Sequence, residues 1–339
     1  MEALGFSLRK EAELETLTLD VVKTSEIEGE SLSAQQVRSS IARRLGMDIA
    51  GALPADRNVE GVVEMMLDAT QNFEKPLSAE RLFGWQAALF PTGHSGIRRI
   101  TVGAWRDDAK GPMQVVSGPM GRESVHYEAP SARVLDDEMA RFIEWVNQPS
   151  GIDPVLKSAI AHLWFVTIHP FDDGNGRIAR AIADWILARS EKSPQRFYSV
   201  SAQIRLERNA YYDILERTQK ETLDITAWLQ WFVDCFDRAL DATEKTLASV
   251  LRKARFWEAN ASAAINERQR LVLDKLLNGF EGKLTSSKWA KLAKCSQDTA
   301  YRDIQDLIEK GILAKDAAGG RSTGYSLRES GQVRLLEKQ

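Results

Sequence analysis

The stretch His169-Pro170-Phe171-Asp172-Asp173-Gly174-Asn175-Gly176-Arg177, with Arg180 one turn further on, decides how this chain is read. An apolar run, Ile160 to Ile168, leads into it, and a helical pattern, Ile178 to Leu187, leads out. The loop therefore opens a helix. The first N–H groups of a helix have no internal partner and carry the positive end of its dipole, so anions bind there. Gly174 and Gly176 let the backbone approach a ligand closely or take positive φ. Arg177 and Arg180 lie three apart on one helix face, within reach of a single polyphosphate. Asp173 can hold a magnesium ion against that phosphate, and His169 stands at the loop's edge as a proton acceptor. Taken singly, each residue reads as a cap, a turn or a hydrogen-bonded core side chain. Together, at this spacing, they read as a site.

The segment resembles, position by position, the His-Pro-Phe-x-(Asp/Glu)-Gly-Asn-(Gly/Lys)-Arg signature of Fic-domain proteins, extended by the second arginine. The resemblance implies a mainly α fold: a Fic helical core with a small β-hairpin flap. It implies transfer of a nucleotide monophosphate, most often AMP from ATP, onto a Ser, Thr or Tyr hydroxyl of a protein, with Mg²⁺ as cofactor. Carried over by motif position, His169 would deprotonate the incoming hydroxyl and Phe171 would anchor the loop in the core. Asp173 would bind Mg²⁺ on the α- and β-phosphates, and Gly174, Asn175 and Gly176 would form the anion hole. Arg177 would grip the β-phosphate and Arg180 the γ-phosphate. Such transfer needs positioning and charge stabilisation more than covalent intermediates, which suits this residue set.

Near the N-terminus, Thr24-Ser25-Glu26-Ile27-Glu28-Gly29 fits the (Ser/Thr)-x-x-x-Glu-(Gly/Asn) inhibitory motif of the same family. Leu14, Leu17, Val21 and Ile27 recur at near-helical spacing, which puts Thr24 and Glu28 on one face. The resemblance implies that Glu28 reaches Arg180, with Thr24 and Gly29 completing the motif. A carboxylate on that guanidinium takes the γ-phosphate's place. Deadenylylation, or transfer of another nucleotide, at the same site stays open. So does an ATP-sensing regulator acting through the C-terminal domain.

Helical patterns cover Leu8–Thr24, Ser33–Arg44, Asn58–Gln71, Ser78–Ala88, Ser131–Asn147, Asp153–Ile168, Gly174–Ser190, Gln203–Gln219 and Asp224–Leu251, the last as one helix or a pair. Asn58 and Ser78 read as N-caps. Between Pro112 and Ala129, two short strands flank a Gly/Pro turn. By resemblance this is the flap, with Val115, Val116, Ser117 and Gly118 docking the target segment through backbone hydrogen bonds. Tyr212 would stack on or bond to the adenine. The Trp228-Leu229-Gln230-Trp231-Phe232 group reads as core packing.

From about Glu267 onward, three helix patterns and two strands about Ala317-Ala318-Gly319-Gly320 look like a winged helix-turn-helix domain. The expected domains are residues 1–50 with the inhibitory helix, 51–250 the catalytic core and 265–339 the winged helix. From Thr285 to Gln339 there are ten Lys/Arg against seven Asp/Glu, a mild positive bias. Gln297, Thr299, Arg302 and Arg321 could face DNA, but Asp298, Asp303 and Asp306 share the recognition helix, so protein contact is an equal alternative to DNA.

The whole chain of 339 residues carries a formal net charge of -3, so no global polycation effect draws it to nucleic acid. Two distant cysteines, Cys235 and Cys295, form neither a disulfide scaffold nor a zinc site. No run long enough to span a membrane occurs, and a cytoplasmic protein is expected. Relatives with an internal inhibitory helix suggest a homodimer.

Overall fold

The computed structural model describes residues 6–49, 51–109, 111–118, 122, 124–220, 223–280, 282–316 and 323–328. It is mainly helical, with three two-stranded antiparallel sheets. Two compact units result. The larger comprises Lys10–Met47 with Ala52–Glu244, and the smaller comprises the described residues of Met1–Arg9, Asp48–Gly51 and Lys245–Gln339.

The chain begins with α1 (Phe6–Ile27), α2 (Ala34–Arg44), α3 (Arg57–Gln71) and α4 (Ala79–Leu89). Helix α1 runs one turn beyond the expected Thr24. Ser78 caps α4 as expected, accepting from Arg81 N–H at 3.2 Å. Asn58 does not cap α3: the helix starts at Arg57, and Asp56 takes the extended N-cap conformation. A hairpin that the sequence pattern did not announce, β1 (His94–Ser95) with β2 (Arg98–Arg99), follows α4.

The expected second hairpin is β3 (Gln114–Ser117) paired with β4 (Ser124–Glu128), with a bulge between Val115 and Val116. A 3₁₀ turn, Ala132–Val134, then precedes α5 (Leu135–Asn147) where one helix from Ser131 was expected; Ser131 caps the turn instead. Helices α6 (Pro154–Ile168) and α7 (Asn175–Glu191) form the centre of the unit. Asp153 caps α6, accepting from Val155 N–H at 2.8 Å, and Pro154 opens it at the position where a missing N–H costs nothing. Nearly all of α7 is buried.

The helix expected over Gln203–Gln219 is two, α8 (Val200–Leu206) and α9 (Arg208–Lys220). They divide at Glu207, whose N–H closes the first helix on Gln203 O and Ile204 O while its carboxylate is taken by Arg238. Helix α10 (Thr226–Ala259) is a single element of 34 residues. Its Trp228 indole donates to Ala159 O of α6 at 2.9 Å, and Trp228 and Phe232 are core, as read.

The smaller unit holds α11 (Glu267–Leu277), α12 (Ser286–Leu292), α13 (Gln297–Glu309) and the pair β5 (Leu313–Lys315) with β6 (Tyr325–Leu327). Leu284 bridges to Tyr325. Trp289, Val272, Leu273, Ala300, Ile304 and Leu307 form its core. The glycine-rich wing at 317–320 and Arg321 lie outside the described residues. Among the described residues, no helix is long and apolar enough to cross a membrane.

Candidate active site

The loop between α6 and α7 is held from all sides. His169 is the C-cap of α6 and adopts a left-handed conformation, φ 52° and ψ 57°, directly before a proline. A non-glycine residue there is strained, and the following proline disfavours it further. Arg106 is what holds it. This buried guanidinium donates from Nε to His169 O at 2.8 Å and from Nη2 to Pro130 O, while its backbone N–H donates to Pro170 O at 2.9 Å. Asp108 pairs with its Nη1 at 2.9 Å.

Asp172, to which the motif assigns nothing, accepts the Thr101 N–H at 2.8 Å and ties the loop to the preceding segment. Phe171 is fully buried against Trp105, Phe83 and Phe165. The Asn175 side chain closes the loop on itself, accepting from Phe171 N–H at 3.0 Å and donating to Phe171 O at 2.8 Å. The carboxamide thus shapes the cradle rather than lining it.

Gly174, with φ 90°, turns the chain into α7; the first helical bond runs from Ile178 N–H to Gly174 O. The N–H groups of Asn175, Gly176 and Arg177 therefore have no helical carbonyl to bond, the condition for anion binding. Gly176 leaves room for the Glu28 carboxylate where it now lies. A Cβ there would come within 2.2 Å of Glu28 Oε1 and 3.3 Å of Arg180 Nη1.

His169 is half-buried, and its Nδ1 lies 3.3 Å from Val166 O. A proton on Nδ1 donated to that carbonyl leaves Nε2 with its lone pair free, the tautomer a base requires. Desolvation, reinforced by the Arg106 charge, pushes the imidazole pKa down to about 4, so the ring is neutral at physiological pH.

Asp173 accepts Gly174 N–H at 2.6 Å and the Ser95 hydroxyl, which places the β1–β2 hairpin beside the cradle. Among the described residues no cluster of three or more metal-ligating side chains exists. One carboxylate at a phosphate cradle fits a magnesium ion that arrives with the phosphates and keeps most of its ligands from them and from water.

The two motif arginines in the first turns of α7, Arg177 and Arg180, are already paired, and both acids come from the turn that follows α1. Arg180 donates from Nε to Thr24 Oγ1 at 2.7 Å and from Nη2 to Thr24 O at 3.0 Å and Glu28 Oε1 at 2.7 Å. Arg177 donates from Nη1 to Glu30 Oε2 at 2.7 Å, and its guanidinium lies over the Phe90 ring. Arg180 Nη1 and Arg177 Nε are buried without a hydrogen-bond acceptor.

The end of α1 is built to present these acids. Gly29 N–H bonds to Glu26 O at 3.1 Å and Glu30 N–H to Ser25 O at 3.0 Å, with Gly29 at φ 85°. That is a Schellman C-cap with glycine in its left-handed position. Helix α9 holds the same end: Arg208 Nε donates to Ile27 O at 2.7 Å and Tyr212 hydroxyl to Ile27 O at 3.2 Å. Tyr212, expected at the adenine, bonds to the end of α1, with Arg208 stacked on its ring.

Hairpin β3–β4 is anchored by Tyr127, whose hydroxyl donates to Thr167 O at 2.9 Å, two residues before His169. His126 lies between Glu216 of α9, at 2.6 Å, and Ser117 Oγ, at 2.5 Å. On β3, which carries the expected target edge, Val115 is half-buried and Val116 and Ser117 are exposed, and Gly118 is exposed just past the strand's end. Sequence reasoning missed Arg106, Asp172, Ser95, Arg208 and Glu30. A lone arginine before a hairpin carries no local signal, but Glu30 sits one residue past the quoted motif and was within reach.

Residues 76–187 match the profile of the Fic/DOC family, and residues 1–47 match a domain of unknown function, DUF4172. A protein adenylyltransferase Fic from Culex quinquefasciatus is 36% identical over 105 residues, covering 30% of this chain and 19% of that protein. Its counterpart from Nematostella vectensis is 32% identical over 117 residues, 33% and 25% of the two chains. The chain thus spans a fifth to a quarter of the length of these curated relatives. In fold, it is similar to a Fic domain containing signaling protein from Bacteroides thetaiotaomicron (TM-score 0.53, 20% identity, 73% and 92% of the two chains). A Fic family protein from Desulfovibrio desulfuricans is similar over 98% and 90% (TM-score 0.50, 20% identity).

Proposed function

We propose that the Fic domain carried by this chain is a protein adenylyltransferase held off by its own N-terminal helix. The acceptor hydroxyl oxygen attacks the α-phosphorus of ATP, its proton passes to His169 Nε2, and the bond to the β-phosphate oxygen breaks to release pyrophosphate. Asn175, Gly176 and Arg177 N–H groups receive charge on the transferred phosphoryl group, and Arg177 and Arg180 hold the β- and γ-phosphates. Asp173 would hold Mg²⁺, which neutralises phosphate charge when bound. The β3 edge holds the target segment, and Tyr212 meets the adenine.

The observation that carries the reading is the pairing of Arg180 with Glu28 at 2.7 Å across the open end of α7. An anion already occupies the place a γ-phosphate needs. The test is self-modification with labelled ATP and Mg²⁺. Glu28→Gly should raise labelling at least about tenfold, the release of one charge-assisted contact. Adding His169→Ala should abolish labelling while ATP still binds. Labelling that survives loss of His169 sinks the assigned base; no gain in Glu28→Gly sinks the lock.

The smaller unit is proposed as a winged helix that recruits a partner, and the protein as a cytoplasmic homodimer. Asp303 is buried against Arg268 and Asn266, and Asp306 pairs with Gln269 and Lys310. Of the three acids set against DNA binding, Asp303 is spent inside the unit and Asp306, though 42% exposed, is paired with Lys310, while Gln297, Tyr301 and Arg302 are exposed. This favours a duplex over a protein partner, and a gel shift across salt concentrations separates the two.

A further inference from the structure

Arg177 and Arg180 differ in how they are held. Arg180 is gripped by Thr24 as well as by Glu28, so removing Glu28 still leaves it positioned. Arg177 is equally buried, 2% exposed, but Glu30 is the acid paired with it and the Phe90 face its support. Glu30 itself is 45% exposed and stands at the last position of the Schellman turn.

Water and salt screen the carboxylate end of the pair, so it contributes less to folding than a fully buried pair would. Its consequence falls on Arg177 instead. An anion that needs Arg177 Nη1 must first displace Glu30, whose half-exposed side chain has solvent to move into.

We propose that Glu30 is a second acid of the lock and a specificity-determining residue: it guards the β-phosphate arginine independently of Glu28. The proposal rests on the nucleotide reading of the site. The resting protein is then selective by phosphate count. A nucleoside monophosphate meets neither acid, a diphosphate must displace Glu30, and a triphosphate must displace Glu30 and Glu28. Gly29 sets the turn that points both glutamates at one helix face, so the two locks share one hinge but release separately.

The test measures AMP, ADP and ATP binding, each with Mg²⁺, to the full chain by calorimetry. The variants are Glu30→Gln, which keeps the shape and removes the charge, Glu28→Gly and the double variant. Glu30→Gln should tighten ADP about threefold to tenfold, the range of one partly screened ion pair, and leave AMP unchanged. The double variant should bind ATP more tightly than Glu28→Gly alone by a similar factor. Unmoved ADP affinity in Glu30→Gln overturns the proposal, as does an equal gain for AMP, which would mean general loosening. A thermal midpoint matching the parent's keeps either result interpretable. If Glu28→Gly binds no nucleotide at all, the functional reading itself fails; if it binds ATP while Glu30→Gln leaves ADP unmoved, only this inference fails.

Discussion

The loop from His169 to Arg180 and the turn from Ile27 to Glu30 face each other and are built on opposite principles. The loop is over-determined. A strained His169, a buried Phe171 and a self-bonded Asn175 are clamped by Arg106, Asp172 and the aromatic wall. The turn is held by its own Schellman bonds and by α9, and it ends in glutamates whose side chains are 29% and 45% exposed. Catalytic geometry tolerates little displacement, whereas a lock must open. Rigidity sits where the chemistry is proposed, and exposure sits where release is proposed.

The largest effect should come from breaking the rigid side. Arg106→Ala frees the carbonyls of His169 and Pro130 and lets a strained residue relax. We expect a stability loss of about 2–4 kcal/mol by denaturant unfolding. In a Glu28→Gly background we also expect about a hundredfold slower labelling at saturating ATP. Labelling at the parental rate would mean that Arg106 holds the fold and not the base.

On the turn side, substitutions should do the reverse: more activity, little change in stability. Thr24→Val removes the hydroxyl accepting from Arg180 Nε but leaves the Thr24 carbonyl and Glu28 in place. Basal labelling should move by only a few-fold, well short of Glu28→Gly, because one of several bonds is lost (~1 kcal/mol). Gly29→Ala places a Cβ in the left-handed region, a strain of about 1–2 kcal/mol. Shared between the turn and the fold, it should loosen both glutamates modestly, seen as a small rise in ADP affinity and in labelling together. An increase in one without the other would separate the two locks from their hinge.

A separate expectation concerns pH dependence. Burial, with Arg180 nearby, pushes His162 down to about 3, and His169 lies at about 4, both below an ordinary histidine. Between those values and about 6.5 the unfolded chain binds more protons than the folded one. Stability should therefore be full above about pH 6.5 and fall as pH drops toward 4 and 3. Unfolding midpoints at pH 7.5 and 5 measure this, and His162→Gln should remove part of the acid sensitivity. Its Nε2 is hydrogen-bonded to Tyr211 at 2.9 Å in the core, so the variant is compared with itself across pH rather than with the parent.

Much of this arrangement was legible in residue order. The capping serine at 78, the α6–loop–α7 unit, the flap pair and the Thr24–Glu28 spacing are local patterns, set by turn chemistry and periodicity within a few residues. The misses have the same explanation from the other side. Asn58 lost the cap to Asp56, and the helix over Gln203–Gln219 broke at Glu207, where Arg238, thirty-one residues away, claims the carboxylate. Arg106 and Asp172 acquire their meaning only through partners 24 to 71 residues distant.

By itself, then, the sequence determined where a phosphate site is proposed, because loop glycines, a helix N-terminus and paired arginines act over one or two turns of chain. Only the tertiary structure decided which acid meets which arginine. Glu28 and Glu30 are 152 and 147 residues from their partners, and an ion pair of that span depends on helix packing, which no local pattern encodes.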